Sequence, residues 1–194
     1  MKYVINSKKD DAIVAHIDQF PYGCGYQPET SFSIWYEAEC GFHLEMKCME
    51  QNPKAQYKNH NDPVYKDSCM EFFVNFYPTD KKTGYLNFEM NANGAMLLYY
   101  GENRDKRRSV HELLLKKHTV NITEQYWQIN LLVPLEFIKK IYGKCEFQSG
   151  DMIKVNAYKC GDDTKVPHYG CWNKVLAESP DFHRPEFFGD MVIV

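Results

Sequence analysis

The 194-residue sequence predicts an all-β fold, an antiparallel β-sandwich or jelly roll with one or two short helices. Three observations carry this. Short runs of alternating apolar and polar residues recur from end to end, turn-forming residues separate them, and helical periodicity is confined to one stretch near residue 137. Aromatic residues make up 15%, with 14 Tyr and 12 Phe, types that suit a pleated, half-buried surface. Nothing in length or composition divides the chain, so residues 1–194 are expected to form one domain.

In chain order, Phe32 to Ala38 and Phe42 to Cys48 alternate cleanly around a tight turn at Cys40-Gly41, which makes a hairpin. The polar stretch Gln51 to Asp67 reads as a long loop. Next comes Asp67-Ser-Cys-Met-Glu-Phe-Phe-Val-Asn-Phe76, in which Met70, Phe72, Val74 and Phe76 point one way while Glu71, Phe73 and Asn75 point the other. Tyr85-Leu-Asn-Phe-Glu-Met-Asn91 repeats the pattern, with Leu86, Phe88 and Met90 inward and Tyr85, Asn87, Glu89 and Asn91 outward. A turn at Asn93-Gly94 leads to a third strand, Ala95 to Tyr100. Trp127 to Val133 alternates again, Pro134 opens a short helix striped by Phe137, Ile138 and Ile141, and Gly143 closes it. Met152 to Lys159 is a further strand, Cys160 to Asp190 an irregular tail, and Met191 to Val194 a short edge strand.

Composition excludes several classes of function. Net charge is −3, and basic residues scatter apart from the Arg104 to Arg108 run and Lys116-Lys117, so no nucleic-acid footprint is present. No apolar run is long enough to span a membrane. Cys24, Cys40, Cys48, Cys69, Cys145, Cys160 and Cys171 are odd in number and irregular in spacing, against a disulfide framework. The N-terminus lacks the apolar core of a signal peptide, which points to a cytoplasmic location, or an extracellular one if a leader has been removed. Asn121-Ile-Thr123 matches a glycosylation sequon that carries no meaning in a cytoplasmic setting.

Glu71, Asn75, Asn87, Glu89 and Asn91 share one sheet face with Phe73 and Tyr85. Carboxylates, amides and rings on one surface suit a polyhydroxylated ligand: hydroxyls need dense donors and acceptors, and sugar C–H groups pack on aromatic faces. A solvated outer face is the plainer alternative. Cys160, His168, Cys171 and His183 match no zinc spacing. Asp162-Asp163 and Asn61-Asp62 offer hard oxygens suited to calcium but no EF-hand pattern, so metal is left unassigned.

Four segments together resemble the family 9-like carbohydrate-binding modules: Val64-Tyr-Lys-Asp-Ser-Cys-Met-Glu-Phe-Phe, Tyr85 to Gly94, Asn156-Ala-Tyr-Lys-Cys-Gly-Asp-Asp with Pro167-His-Tyr-Gly-Cys-Trp172, and Pro180-Asp-Phe-His-Arg-Pro-Glu-Phe-Phe-Gly189. The resemblance spans essentially the whole chain. It implies a β-sandwich related to the DOMON fold, no hydrolytic activity, a carbohydrate ligand, and calcium in structural loops of some members. It also implies two aromatic rings clamping a terminal sugar. The first corresponds to Tyr65, six residues ahead of Glu71, and the second to Trp172, with Tyr169 as a replacement for either. Glu71, Glu89 and Asn91 would bond hydroxyls, and Arg104 or Lys159 would supply cationic donors. On this basis Trp172→Ala should abolish sugar binding with little change in stability.

Other functions stay open beside non-catalytic carbohydrate binding. The DOMON relationship allows a haem-binding electron-transfer domain, and Glu71 with Glu89 could form a glycosidase pair. Without an attached catalytic domain, a glycan-processing enzyme acting in trans is the expected protein partner.

Overall fold

The structure, a computed structural model, describes residues 3–23, 25–113 and 118–194. Cys24 and the Lys116-Lys117 pair lie outside the described residues. The described strands are β1 (Tyr3–Ile5), β2 (Ala15–His16), β3 (Thr30–Glu37), β4 (Gly41–Cys48), β5 (Cys69–Asn75), β6 (Tyr85–Asn91), β7 (Met96–Gly101), β8 (Arg107–Ser109), β9 (His118–Ile122), β10 (Trp127–Pro134), β11 (Met152–Cys160), β12 (Tyr169–Cys171) and β13 (Gly189–Ile193). They form two sheets. The larger runs β1-β13-β11-β5-β6-β7-β8, with β12 paired to β11, and the smaller runs β2-β3-β4-β10-β9.

The alternation read from the sequence decides how the sheets meet. In the β5–β6 register, Met70 faces Met90, Phe72 faces Phe88 and Val74 faces Leu86. All six belong to one buried core with Ile34, Leu44, Ile129 and Leu131 of the smaller sheet. This is a β-sandwich, with the apolar inner faces of both sheets closed on each other. Helix α1 (Leu135–Tyr142) buries Phe137 and Ile138 against that core. It ends at Gly143, whose φ of +75° is the left-handed cap that glycine adopts without strain. No described helix is long and apolar enough to cross a membrane.

Several elements differ from expectation. The C-terminal strand is not an edge: β13 pairs antiparallel with β11 and parallel with β1, which takes the edge position. Strands β1, β8 and β9 are short or mostly exposed and so lack a readable alternation. The tail is not wholly irregular, since Tyr169–Cys171 adds β12.

The outer face of the large sheet is also not solvated. Glu71 and Glu89 are 3% exposed, and Asn87, Asn91, Phe73 and Asn156 are fully buried. A second apolar cluster covers this face, uniting Phe73, Tyr85 and Tyr158 of the sheet with Val64 from the long loop and Cys171, Val175, Phe182 and Phe188 from the tail.

Candidate functional site

Where the covering segments part, they leave a cavity of about 430 Å³ over the outer face. The sheet contributes Glu71, Glu89, Leu97, Tyr99 and Cys160. Arg104 comes from the turn between β7 and β8, Arg107 opens β8, and Tyr65 comes from a 3-10 turn in the long loop. Asp162, Tyr169, Pro180, Phe182 and His183 complete the lining from the tail. The tail is held in place by stacking of Phe182 on Tyr158, with centroids 4.0 Å apart, and by a 3.1 Å bond from Tyr158 OH to the Phe182 carbonyl. Asp162 N donates to the Tyr65 carbonyl at 3.1 Å, tying the two covering segments together.

The floor is a cross-strand carboxyl pair, Glu71 on β5 directly opposite Glu89 on β6. Burial, followed by the neighbouring Cys160 and Glu89, pushes the Glu71 carboxyl well above its usual range. Its Oε1 accepts from the Cys160 thiol at 2.9 Å. Burial also raises Glu89, to about 7, against the opposing pull of Arg107 and Arg104. Its Oε1 accepts from Asn87 Nδ2 at 3.0 Å and lies 3.8 Å from His183 Nε2. His183 stacks on Phe73 at 4.8 Å and shares a 3.0 Å bond between its Nδ1 and Tyr85 OH. Burial, then the charges of Arg107 and Arg104, lowers this imidazole to about 2, so it is neutral at ordinary pH.

The two guanidinium groups differ. Arg104 is drawn to Asp181, with Nε and Nη2 at 3.1 and 2.6 Å from Oδ1. Arg107 donates from Nη1 to Asn87 Oδ1 at 3.1 Å and lies 5.7 Å from the Tyr99 ring centroid. Asp162 is raised by burial and hydrogen-bonds the Tyr169 hydroxyl. The cavity thus combines tyrosine rings, carboxyls raised by burial, one guanidinium paired with a carboxylate, one braced by an amide, and a neutral imidazole.

Of the residues expected at the site, Tyr65, Glu71, Glu89 and Arg104 line this cavity. Three others stand elsewhere. Lys159 shares its strand face with Ile153, Val155 and Ala157 and so points between the sheets, fully buried. There its Nζ reaches Ser68 Oγ at 2.9 Å, His168 Nε2 at 2.7 Å and Glu50 Oε2 at 3.6 Å. Asn91 faces outward but is occupied as a loop anchor: Nδ2 donates to the Tyr57 carbonyl at 2.8 Å and to Asp67 Oδ2 at 2.9 Å, while Oδ1 accepts from Asn93 N and Ala95 N. Trp172 packs edge-on against Tyr3 and Phe32, at 4.9 and 5.7 Å, and borders a different depression with His16, Asp18 and Asp190.

The other rings of the cavity are Tyr99, Tyr169 and Phe182, the last two in edge contact at 6.4 Å. Arg107 belongs to the Arg104 to Arg108 basic run, which has no period that marks one of its residues for the site. Phe182 and His183 sit in the tail motif, but their contact with the sheet leaves no periodic trace.

Among the described residues, the loop oxygens considered for calcium do not converge. Asp62 Oδ2 accepts from Asn59 N and Nδ2, Asn61 Oδ1 accepts from Leu98 N, Asp163 pairs with Lys66, and Asp162 bonds Tyr169. A calcium ion needs six to eight oxygens around one point, and these loops do not fit it. The Cys160, His168, Cys171 and His183 set is likewise dispersed: His168 bonds Lys159 on the inner side, while the Cys171 thiol donates to the Gln19 carbonyl.

The family model for carbohydrate-binding family 9 matches residues 8–193. Among solved structures, a candidate carbohydrate-binding protein from Bacteroides uniformis is 24% identical, with a TM-score of 0.82 over 100% of this chain and 98% of that one. A family 9 module from Caldicellulosiruptor kristjanssonii in complex with glucose is 10% identical, with a TM-score of 0.62 over 100% and 94% of the two chains. The module from the same organism in complex with cellotriose is 10% identical, with a TM-score of 0.64 over 100% and 90%. No curated protein matches the sequence significantly.

Proposed function

This chain belongs to carbohydrate-binding family 9, and from that premise we propose that its outer-face cavity holds the end of a saccharide without cleaving it. The observation that carries this is the cavity itself. Its size lies within the range of small-ligand sites, and it sets the Glu71–Glu89 floor among the rings of Tyr65, Tyr99 and Tyr169. Rings take the sugar's C–H faces, while carboxyls, Asp162 and the Arg107 guanidinium exchange hydrogen bonds with its hydroxyls. The Caldicellulosiruptor modules, described with glucose and cellotriose, make β-linked glucose the first ligand to test.

Hydrolysis would need one carboxylate ionised as nucleophile beside a protonated acid. Here Glu71 Oε1 is engaged by the Cys160 thiol and Glu89 Oε1 by Asn87 Nδ2, bonds that a catalytic pair would have to give up. A haem held by His and Met would find no such pair here: the one histidine in the described lining is wedged between Glu89 and Tyr85, and no methionine lines the cavity.

The test is calorimetric titration of glucose, cellobiose, cellotriose, xylose and galactose into the wild-type chain and Tyr65→Ala. Saturable binding to at least one saccharide, weakened tenfold or more by Tyr65→Ala, is expected. Binding to none, or binding indifferent to Tyr65, defeats the proposal, and release of reducing sugar would replace it with a hydrolase.

A further inference from the structure

The hairpin between β3 and β4 carries a second chemistry, on the smaller sheet and separate from the cavity. Glu37 ends β3, Cys40 lies in the turn, and His43 is the third residue of β4. The spacing Glu-x-x-Cys-x-x-His places a carboxylate, a thiol and an imidazole at one hairpin end. Their ligand atoms all lie within 4.8 Å of one another, with Glu37 Oε2 3.4 Å from His43 Nε2. That nitrogen is buried and has no hydrogen-bond partner, although the ring itself is part-exposed.

Three features hold the group in place. Register sets His43 opposite Trp35, and the two rings stack at 5.0 Å and 6°. Trp35 Nε1 donates to Glu37 Oε1 at 3.3 Å, which leaves Oε2 toward the imidazole. This is the kind of outer bond that orients a ligating carboxylate. The turn is also fixed: Cys40 N donates to the Glu37 carbonyl at 2.9 Å, and Leu135 N to the Cys40 carbonyl at 3.1 Å. Gly41 follows at φ +137°, where any Cβ would stand 2.2 Å from the Val133 carbonyl oxygen, so the turn lies pressed against β10.

We propose that Glu37, Cys40 and His43 form a surface site for a zinc-type divalent cation, with water in the fourth position. One sulfur, one nitrogen and one oxygen donor match the preference of such an ion for tetrahedral mixed coordination. Bonds of about 2.0–2.3 Å would hold the ligand atoms about 3.3–3.8 Å apart, reachable from the present arrangement by small side-chain rotations. On binding, the Cys40 S–H bond breaks, its proton passes to solvent and a sulfur–metal bond forms. No oxidant or reductant takes part. Thiolate and carboxylate then balance the charge of the ion, and neutral His43 gives its Nε2 lone pair.

Cobalt(II) titration of the reduced chain tests the site through thiolate-to-cobalt charge-transfer absorption. The expected result is a 1:1 spectrum that zinc abolishes by competition, with one proton released per zinc ion in weak buffer. Cys40→Ser should lose both signals, and His43→Gln should weaken binding tenfold or more. Cys160→Ser should leave both unchanged; it controls for the buried Cys69, Glu71 and Cys160 group, whose ligand atoms are also clustered. Absence of the spectrum, its survival in Cys40→Ser, or its loss in Cys160→Ser overturns the assignment. Far-ultraviolet circular dichroism confirms that each variant is folded, and Glu37→Gln, which keeps the hairpin's shape, provides a further loss-of-affinity variant.

Discussion

Glu89 Oε1 lies 3.8 Å from His183 Nε2 beneath the cavity, and each group has its charged form disfavoured by burial. Their effects on stability run in opposite directions. Glu89 titrates at about 7 in the fold against an ordinary 4.5, so its protonated form contributes fully below pH 4.5 and that contribution is lost as pH rises toward 7. His183 titrates at about 2 against 6.5, so its penalty grows as pH falls below 6.5. Glu89→Gln should remove the first slope and expose the second. The stability of wild type relative to this variant should fall by about 3 kcal/mol between pH 4.5 and 7. Urea unfolding across that range measures it, and parallel curves for the two proteins would contradict the assignment.

The neutral state of Glu71 yields a second prediction. A charge-assisted bond to a sugar hydroxyl contributes about 1.5–3 kcal/mol, and a neutral one about 0.5–1.5. Because burial favours the neutral form of Glu71, Glu71→Gln preserves a neutral group of similar shape, and saccharide affinity should change by less than about threefold. Glu71→Ala should cost tenfold or more. A large loss in the glutamine variant, measured by calorimetry, would mean that the bound state requires an ionised carboxylate.

The strands beneath the cavity were legible because a half-buried sheet imposes a period of two on local sequence. Met70, Phe72 and Val74 on one side and Glu71 and Phe73 on the other needed only that rule. The same rule applied to β11 puts Lys159 with Ile153, Val155 and Ala157, so its inward direction is readable from the period alone. The covering of the outer face was not readable, because it depends on tail residues such as Phe182 meeting Tyr158 across 24 positions of chain. The setting of Trp172 is unreadable for the same reason. Its loop offers no periodicity, and its direction is set by packing on Tyr3 and Phe32 and by Gly189, where an added Cβ would stand 2.6 Å from the indole.

Trp172→Ala should therefore behave as a packing variant. Removing a ring held between Tyr3 and Phe32 costs about 3 kcal/mol, a fall in melting temperature of about 9 °C for a chain of this length. Saccharide affinity at the Tyr65 cavity should match wild type. Calorimetry on the folded variant at low temperature separates the two effects; lost binding with unchanged melting temperature would put Trp172 back at the site.

Lys159→Met should be the most destabilising of these substitutions. Burial pushes the Glu50 carboxyl up, but the Lys159 charge together with bonds from Ser68 and Trp127 outweighs it and keeps Glu50 below its ordinary value. The ammonium is itself fully buried and bonded to Ser68 and His168. Removing it leaves Glu50 as an uncompensated charge beside Trp127 Nε1, 3.0 Å away. Breaking a buried pair on one side costs about 3–5 kcal/mol, whereas replacing both partners with uncharged groups costs less. The double variant Lys159→Met, Glu50→Gln should therefore recover part of the loss. In the single variant the raised Glu50 value makes stability fall as pH rises through the carboxylate range, a slope the double variant lacks. Urea unfolding of both at several pH values reads these differences, and a single variant as stable as wild type would show that Lys159 contributes nothing where it lies.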